Sequence, residues 1–463
     1  MTVTVGQGVA AGGDGLARLP DGRVLFVEGG LPGETVEVMV VDSRRDHAKG
    51  RVLEVIAAAP TRIEPVCLHV AEGCGGCGWA HVDPEAQVDL AQRVVTDALR
   101  RIGHLQELPP FLPARRVDTA GYRTTVTMAV TPDGHLAYHR HHASGLVPVG
   151  DCRVAHPLVS DLIGSVTAPG WGTVTLRVGL AGGQRLVVVD PPPVPGVRSV
   201  PGDPRACQRG AGRGRAGGGG GAVTGGGRSR AGGGGRGRSG GGRGRAGSGG
   251  GSAGPPALAE RGGRVDAPAD AVVVRPGDGA AIDEEVGGRW WRISARSFFQ
   301  AGPQGADLLI AAVDAAVEDS LRTGDHVVDA YAGVGLLGGT VAGRRGARLT
   351  AIESDPSAVF DARHNLADLD ATVVAGEVGA WAPEDADVVI ADPARPGLGR
   401  PGVSTLTGTG ARRLVLVSCD PASLGRDTAL LADAGYLLAS VEIIGMFPDT
   451  VHIETVSCFE LAR

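Results

Sequence analysis

The stretch DHVVDAYAGVGLLGGTVA, residues 325–342, decides how the rest of the chain is read. An apolar run ending at Asp329 has the length and β-branched content of a buried strand. After it, Gly333 and Gly335 let the backbone turn tightly against a ligand before a helix begins. Working outward, ADLLIAAVDAAVEDSLR (306–322) has helical spacing. ARLTAIES (347–354), DADVVIADP (385–393), RRLVLVSCDP (412–421) and YLLASVEIIGM (436–446) read as strands with helical segments between them. That rhythm predicts a mostly parallel sheet with helices on both faces, an α/β Rossmann-like domain over 291–463. Glu353 closes the next strand, 24 residues after Asp329, where a carboxylate can accept hydrogen bonds from both ribose hydroxyls. The spacing fits NAD or S-adenosylmethionine, and the full GxGxxG pattern is missing.

Upstream, residues 1–58 hold about five short strand-like runs in TVTVGQGVA, VLFVEG, TVEVMVVDS and GRVLEVIAAA, punctuated by GGDG, DG and LPGE turns. That density predicts a small β-barrel of the oligonucleotide-binding type. PEAQVDLAQRVVTDALRRIG (84–103) starts with Pro and has apolar spacing near 3.6, so a helix is expected. Residues 115–190 alternate as strands, and VVVRP and RWWRISARSF resume that pattern after a low-complexity segment. A central β-rich unit is therefore expected over 59–290. Its segment 201–257 cannot bury enough apolar surface to order itself and is read as a disordered Gly/Arg-rich insertion.

Composition narrows the function classes. The 463 residues include 77 Gly, 30 Pro and only 3% aromatics, with no G-X-Y repeat and no sustained heptad, which excludes collagen and coiled coil. Residues 209–254 hold nine Arg and no acid; the remainder has 36 basic against 51 acidic residues, a net charge of −15. An acidic body with one basic strap is not built as a general polyanion sponge. The strap's Arg side chains suit phosphate neutralisation and base stacking, and a merely tolerated surface loop reads equally well. Lys49 is the only lysine, which fits a genome-composition bias. No run of 18 apolar residues exists, and the N-terminus lacks a basic region followed by an apolar one. No membrane association, a cytoplasmic location and a monomer are expected. Seven Cys, three of them clustered, suit a reducing compartment and a metal site better than disulfides.

Two resemblances sharpen this reading. FVEGGLPGETVEV (26–38) followed by AKGRVLEV (48–55) resembles the TRAM domain, a small RNA-binding barrel. SFFQ with Gln300, DAYAGVG with Tyr331, Gly333 and Gly335, IESD with Glu353, DPAR with Asp392, SCDPASLGRD with Cys419 and FPDTVHIE with Glu454 resemble the RNA uracil-C5 methyltransferase family. The resemblance covers essentially the whole chain outside 201–257. It implies a class I methyltransferase domain that forms 5-methyluridine from S-adenosylmethionine. Gln300, Tyr331, Gly333, Gly335, Glu353 and Asp392 match donor-binding positions, Cys419 the nucleophile and Glu454 the base. Uracil C5 is a poor nucleophile, so a thiolate must add at C6 to make an enolate, and a base must then remove the C5 proton. Leu336, where a polar or aromatic residue is usual, and Ala394, in place of a second Pro, depart from the family pattern. TRAM plus a cysteine cluster resembles the large-subunit rRNA branch, so 23S rRNA is the expected substrate; a tRNA T-loop uridine fits the same motifs. A non-catalytic RNA-binding or ribosome-assembly factor would lack Cys419 or Glu454, and both are present.

Cys67, Cys74 and Cys77 (C-x6-C-x2-C) form a tight loop with Gly75 and Gly76, and Cys152 follows 75 residues later in VGDCRVAHP. Four thiolates suit a [4Fe–4S] cluster or structural zinc, and spacing does not choose. The family resemblance implies the cluster, with Cys152 as its fourth ligand. A radical methylthiotransferase, which can also carry TRAM, needs a C-x3-C-x2-C spacing that is absent. His81 is expected to be a surface or supporting residue, Cys458 to be core and Cys207 to be a free thiol.

Overall fold

The computed structural model describes residues 1–141, 144–192, 263–317 and 320–462. The Gly/Arg-rich stretch 201–257 and Cys207 lie outside the described residues. The N-terminal sheet has five strands, β1–β5 (Thr2–Thr4, Gly15–Arg18, Val24–Glu28, Thr35–Ser43, His47–Ala57), in the order β1-β4-β5-β3-β2. Alternating Val and Leu side chains (Leu25, Val27, Val36, Val38) fill its interior. Only Thr2–Thr4 of the run TVTVGQGVA is strand, since Gly6 and Gly8 break the pleat.

A short helix α1 (Leu68–Ala71) lies between Cys67 and Cys74, and α2 (Pro84–Arg101) follows. Pro84 opens α2 without losing a needed N–H, and Asp83 caps it by accepting from the Glu85 N–H at 2.9 Å. A six-stranded sheet is built from β7–β12 (Thr125–Val130, Leu136–His139, Leu146–Pro148, Thr173–Val178, Arg185–Asp190, Val272–Val274), ordered β12-β11-β10-β7-β8-β9, with α3 (Pro157–Ser165) packed on it.

The largest sheet has eight strands. Strand β6 (Phe111–Arg116) and β15–β21 (His326–Ala330, Arg348–Glu353, Ala371–Ala375, Val388–Ala391, Arg413–Ser418, Tyr436–Gly445, Glu454–Leu461) run in the order β17-β16-β15-β18-β19-β21-β20-β6. Side chains alternate between its faces, as strand geometry requires. Val327, Leu349, Ile390 and Val415 face α4 (Pro303–Val317), α5 (Leu336–Arg345), α6 (Pro356–Asn365) and the hairpin β13–β14 (Ala281–Val286, Arg289–Ser294). Val328, Ile352, Val389 and Leu414 face α2, α7 (Gly399–Thr407) and α8 (Pro421–Asp433). Each fully buried Val or Leu contributes about 1.5–3 kcal/mol, so α2, which buries Leu90, Val94, Val95 and Leu99, is firmly held.

The structure adds detail that the sequence reading did not give. Residues 84–116, read as part of a central unit, pack with the C-terminal sheet: α2 covers one face, and β6 pairs with β20 at the edge. The hairpin β13–β14 also packs with this sheet's core, so the expected boundary at 290/291 falls within β14. The sheet is mostly parallel, as expected, with β21 alone running antiparallel to its neighbours β19 and β20.

Candidate active site

The parallel strands of the large sheet end together at one edge. Ala330 of β15 pairs with Ile352 of β16 and with Ala391 of β18, so Tyr331, Glu353 and Asp392 leave their strands at one level. The chain moves from β15 to β16 and β17 on one side, then to β18 and β19 on the other. Open α/β sheets bind ligands in the crevice outside such a reversal.

The first turn is rigidly anchored. Gly335 sits at φ +92°, and a Cβ there would meet three Leu366 side-chain carbons at 2.9–3.1 Å, so only glycine fits. Tyr331 also takes a left-handed backbone, φ +63°, a strained choice that surrounding contacts must hold. The buried Asp329 carboxylate accepts from the Gly338 N–H at 2.8 Å and so fastens the start of α5 to the end of β15. Burial pushes Asp329 up to about 7, against the opposing effect of that hydrogen bond. Glu353 accepts from the Gly333 N–H at 2.8 Å and from the Ser354 and Asp355 N–H groups at 2.7 Å. A carboxylate offers about four acceptor sites, which leaves room for a ribose hydroxyl. Gln300 donates from its amide to Asp392 at 3.3 Å, and burial raises Asp392 to about 7. Burial also raises the Tyr331 hydroxyl to about 12.

Across the switch point, β19 and β21 are antiparallel and pair Ser418 with Thr455, whose hydroxyl donates to the Ser418 carbonyl at 3.2 Å. One step further along that register, Cys419 and Glu454 stand at adjoining strand ends. Cys419 is half-buried and immediately precedes Asp420, which caps α8 by accepting from the Ser423 N–H at 2.7 Å. The helix N-terminus favours negative charge at that point. Glu454 is buried, 6% exposed, and its Oε1 has no hydrogen-bond partner. Burial, then repulsion from Asp392, holds its carboxyl well above the usual range, while Arg395 opposes this. A buried acceptor left unpaired at a ligand-facing edge is costly unless a substrate group completes it.

The structure adds residues that sequence reasoning did not single out. Arg395 of DPAR donates to His452 Nδ1 at 3.1 Å, and burial together with Arg395 and Arg123 pushes His452 down to about 4. Both lie inside the motifs quoted above and could have been flagged there. Arg123, whose guanidinium lies 5.1 Å from the Phe447 ring centre, carried no such local signal.

Cys74 approaches the end of β8: its backbone forms an isolated β-bridge with Arg140, and the Gly75 N–H donates to the His139 carbonyl at 2.9 Å. The Tyr138 hydroxyl lies 3.6 Å from Cys152 Sγ. Burial raises the Cys74 thiol, with Cys152 and Cys67 adding to the shift. Cys77 is pushed up to about 12 by burial, then by Cys152, Asp449 and Cys74. Cys74 therefore lies within electrostatic reach of Cys67 and Cys152, and Cys77 within reach of Cys152 and Cys74. Among the described residues, however, no three His, Cys, Asp or Glu side chains form a group that could hold a metal ion as they stand. His81 is partly buried, so it is not a fully exposed surface residue, and burial followed by Arg62 pushes it down to about 4. Cys458 is core, as its apolar strand predicts.

Residues 1–53 match the TRAM domain family. The chain is 31% identical to an uncharacterized RNA methyltransferase of Streptomyces coelicolor, over 98% of this chain and 91% of that protein. It is 28% identical to the 23S rRNA (uracil(1939)-C(5))-methyltransferase RlmD of Methylococcus capsulatus, over 98% of this chain and 96% of the relative. The fold is similar to that of the Pyrococcus abyssi tRNA (uracil-54, C5)-methyltransferase solved with S-adenosyl-L-homocysteine. That likeness has a TM-score of 0.62 at 18% identity and covers 99% of this chain and 100% of the other. Among the described residues, no helix is long and apolar enough to cross a membrane.

Proposed function

Because this chain belongs to the RNA uracil-C5 methyltransferase family and uses S-adenosylmethionine as methyl donor, we propose that it forms 5-methyluridine in 23S rRNA through Cys419 and Glu454. The observation that carries the reading is the Ser418–Thr455 register, which brings a thiol and an unpartnered buried carboxyl together beside Asp392.

In this mechanism the Cys419 thiolate bonds to uracil C6, and the C5=C6 electron pair moves into an enolate. C5 then bonds to the donor's methyl carbon as the sulfonium–methyl bond breaks, its pair remaining on sulfur. Glu454 takes the C5 proton, the C–H pair restores C5=C6, and the thiolate leaves. The α8 N-terminus supports the thiolate, and burial gives Glu454 the proton affinity a base needs. Gln300, Tyr331, Gly333, Gly335, Glu353 and Asp392 hold the donor. Addition at C6 needs access to the ring face, so the uridine must leave its stack or loop, with the N-terminal barrel gripping flanking RNA. The 23S assignment is supported by the RlmD relative, and the protein acts as a monomer in the cytoplasm.

Cys67, Cys74, Cys77 and Cys152 would hold a [4Fe–4S] cluster, which would tie down the loop around α1. Four thiols suit either a cluster or zinc, and the family resemblance supports the cluster.

The central test uses RNA gels under denaturing conditions. Cys419→Ala abolishes methyl transfer and leaves donor binding intact. Glu454→Gln accumulates a covalent protein–RNA adduct that the additional Cys419→Ala change removes. Full activity of Cys419→Ala overturns the mechanism. Mapping 5-methyluridine in a deletion strain against its parent decides the substrate: loss from tRNA with intact 23S rRNA overturns that assignment.

A further inference from the structure

The loop from Phe447 to Ile453 delivers Glu454 to its place, and its third residue, Asp449, is held in an unusual way. Asp449 is buried and has φ +66°, a left-handed conformation that residues other than glycine adopt at a cost. The contacts that offset this cost come from far away in sequence. On α2, the buried Gln87 side chain accepts from the Asp449 N–H at 2.9 Å and donates to Asp449 Oδ1 at 3.2 Å. Its amide also reaches the Val82 carbonyl at 3.0 Å, which fixes its orientation. The Trp79 N–H, two residues beyond Cys77, donates to the Asp449 carbonyl at 2.8 Å. The N–H, the carbonyl and the carboxylate of Asp449 are thus all engaged by the segment 79–87.

The neighbouring residues of the loop are pinned in the same manner. The Tyr122 hydroxyl donates to the Pro448 carbonyl at 2.9 Å, and Arg123 lies over the Phe447 ring. The Thr450 hydroxyl donates to the Phe447 carbonyl at 2.8 Å and accepts from the His452 N–H at 3.3 Å. Glu454 follows two residues later. Cys77, Cys152 and Phe447 pack around the same small core of Val117, Tyr122 and Val154, so the cysteine loop and this loop share one foundation.

We infer that Gln87 is a positioning residue for the base: it locks Asp449 in the left-handed turn that aims Glu454 at the uracil C5 proton. The inference rests on the assignment of Glu454 as that base. Gln87 is buried, and its side-chain hydrogen bonds go to Asp449 and to its own segment, so it acts through the loop. A reacting group displaced by about 1 Å loses roughly 10²-fold in rate, which sets the scale of the effect.

The test compares Gln87→Leu, Asp449→Gly and Asp449→Asn with Glu454→Gln in the full-length protein, on the same uridine-containing RNA. Gln87→Leu keeps the side-chain bulk and removes the clamp. Its kcat falls by about 10²-fold with KM for the donor unchanged, and the Cys419–RNA adduct builds up because proton removal is the step that slows. If Gln87→Leu fails to fold, Asp449→Gly carries the test. Glycine adopts φ +66° without strain, so the chain folds while the loop loses its side-chain anchor, and the adduct again accumulates. Asp449→Asn keeps the acceptor and tolerates the left-handed turn, and it restores most of kcat. Wild-type kcat in the clamp variants, or slowed turnover without adduct while Glu454→Gln accumulates it, overturns the inference and leaves the base assignment standing. Absence of adduct in every variant, Glu454→Gln included, overturns both.

Discussion

Helix α5 contains two glycines whose replacement by alanine should have opposite signs. Both Gly338 and Gly343 lie in its body, where alanine is preferred over glycine by about 1 kcal/mol. At Gly343 an added Cβ meets Leu369 Cδ2 at 3.4 Å and the Arg289 guanidinium at 3.6 Å, which are ordinary contacts. Gly343→Ala should therefore stabilise the protein by about 0.5–1 kcal/mol. At Gly338 the added Cβ falls 2.5 Å from Asp329 Cβ and 2.6 Å from Asp329 Oδ2. Asp329 must move, although its carboxylate is buried and bonded to the Gly338 N–H. Overpacking costs about 1–3 kcal/mol. A weakened bond to a buried carboxyl costs about 1–3 kcal/mol more. Set against the helix gain, the net is a destabilisation of about 1–5 kcal/mol. Calorimetry should show the C-terminal sheet melting about 2–20 °C lower for Gly338→Ala and slightly higher for Gly343→Ala. Since the same bond fastens the donor turn, isothermal titration should find S-adenosylmethionine bound at least about tenfold more weakly by Gly338→Ala, equivalent to about 1.4 kcal/mol. A Gly338→Ala protein as stable as wild type, with unchanged donor affinity, refutes the close-approach argument.

Two further outcomes follow from the site. Glu454 must be ionised to accept a proton, and burial and Asp392 hold its carboxyl above the usual range, so adduct resolution should quicken as pH rises through its titration. Asp392→Asn removes the repelling charge and should move that limb to lower pH, whereas Arg395→Gln should move it to higher pH; rapid-quench rates with a coincident limb in all three proteins would disprove the coupling. Protein purified without oxygen should contain about four iron per chain and lose them in Cys77→Ser; stoichiometric zinc with no iron rules out the cluster.

Much of this protein was legible along the chain because the relevant physics is local. The alternation of Val327 and Val328 between two cores, the glycines that turn β15 into α5, and the Asp-Pro helix starts at 355–356 and 420–421 each depend on a few consecutive residues. Cys419 and Glu454 could be singled out because they sit in short motifs that resemble a family. What the chain could not disclose is pairing between distant segments. Phe111–Arg116 joins the large sheet through β20, more than 300 residues later, and nothing in its half-polar pattern marks it as an edge of that sheet. Gln87 and Asp449 are 362 residues apart, and although Asp449 sits in the FPDTVHIE motif, nothing local marks Gln87 as its partner. The adjacency of Cys419 and Glu454 likewise depends on the antiparallel register of β19 with β21, where a shift of one residue would turn Glu454 to the other face. Local periodicity selects the elements. Their partners are chosen by which faces can be buried together and which buried polar groups can satisfy one another, and that is settled only when the whole chain has folded.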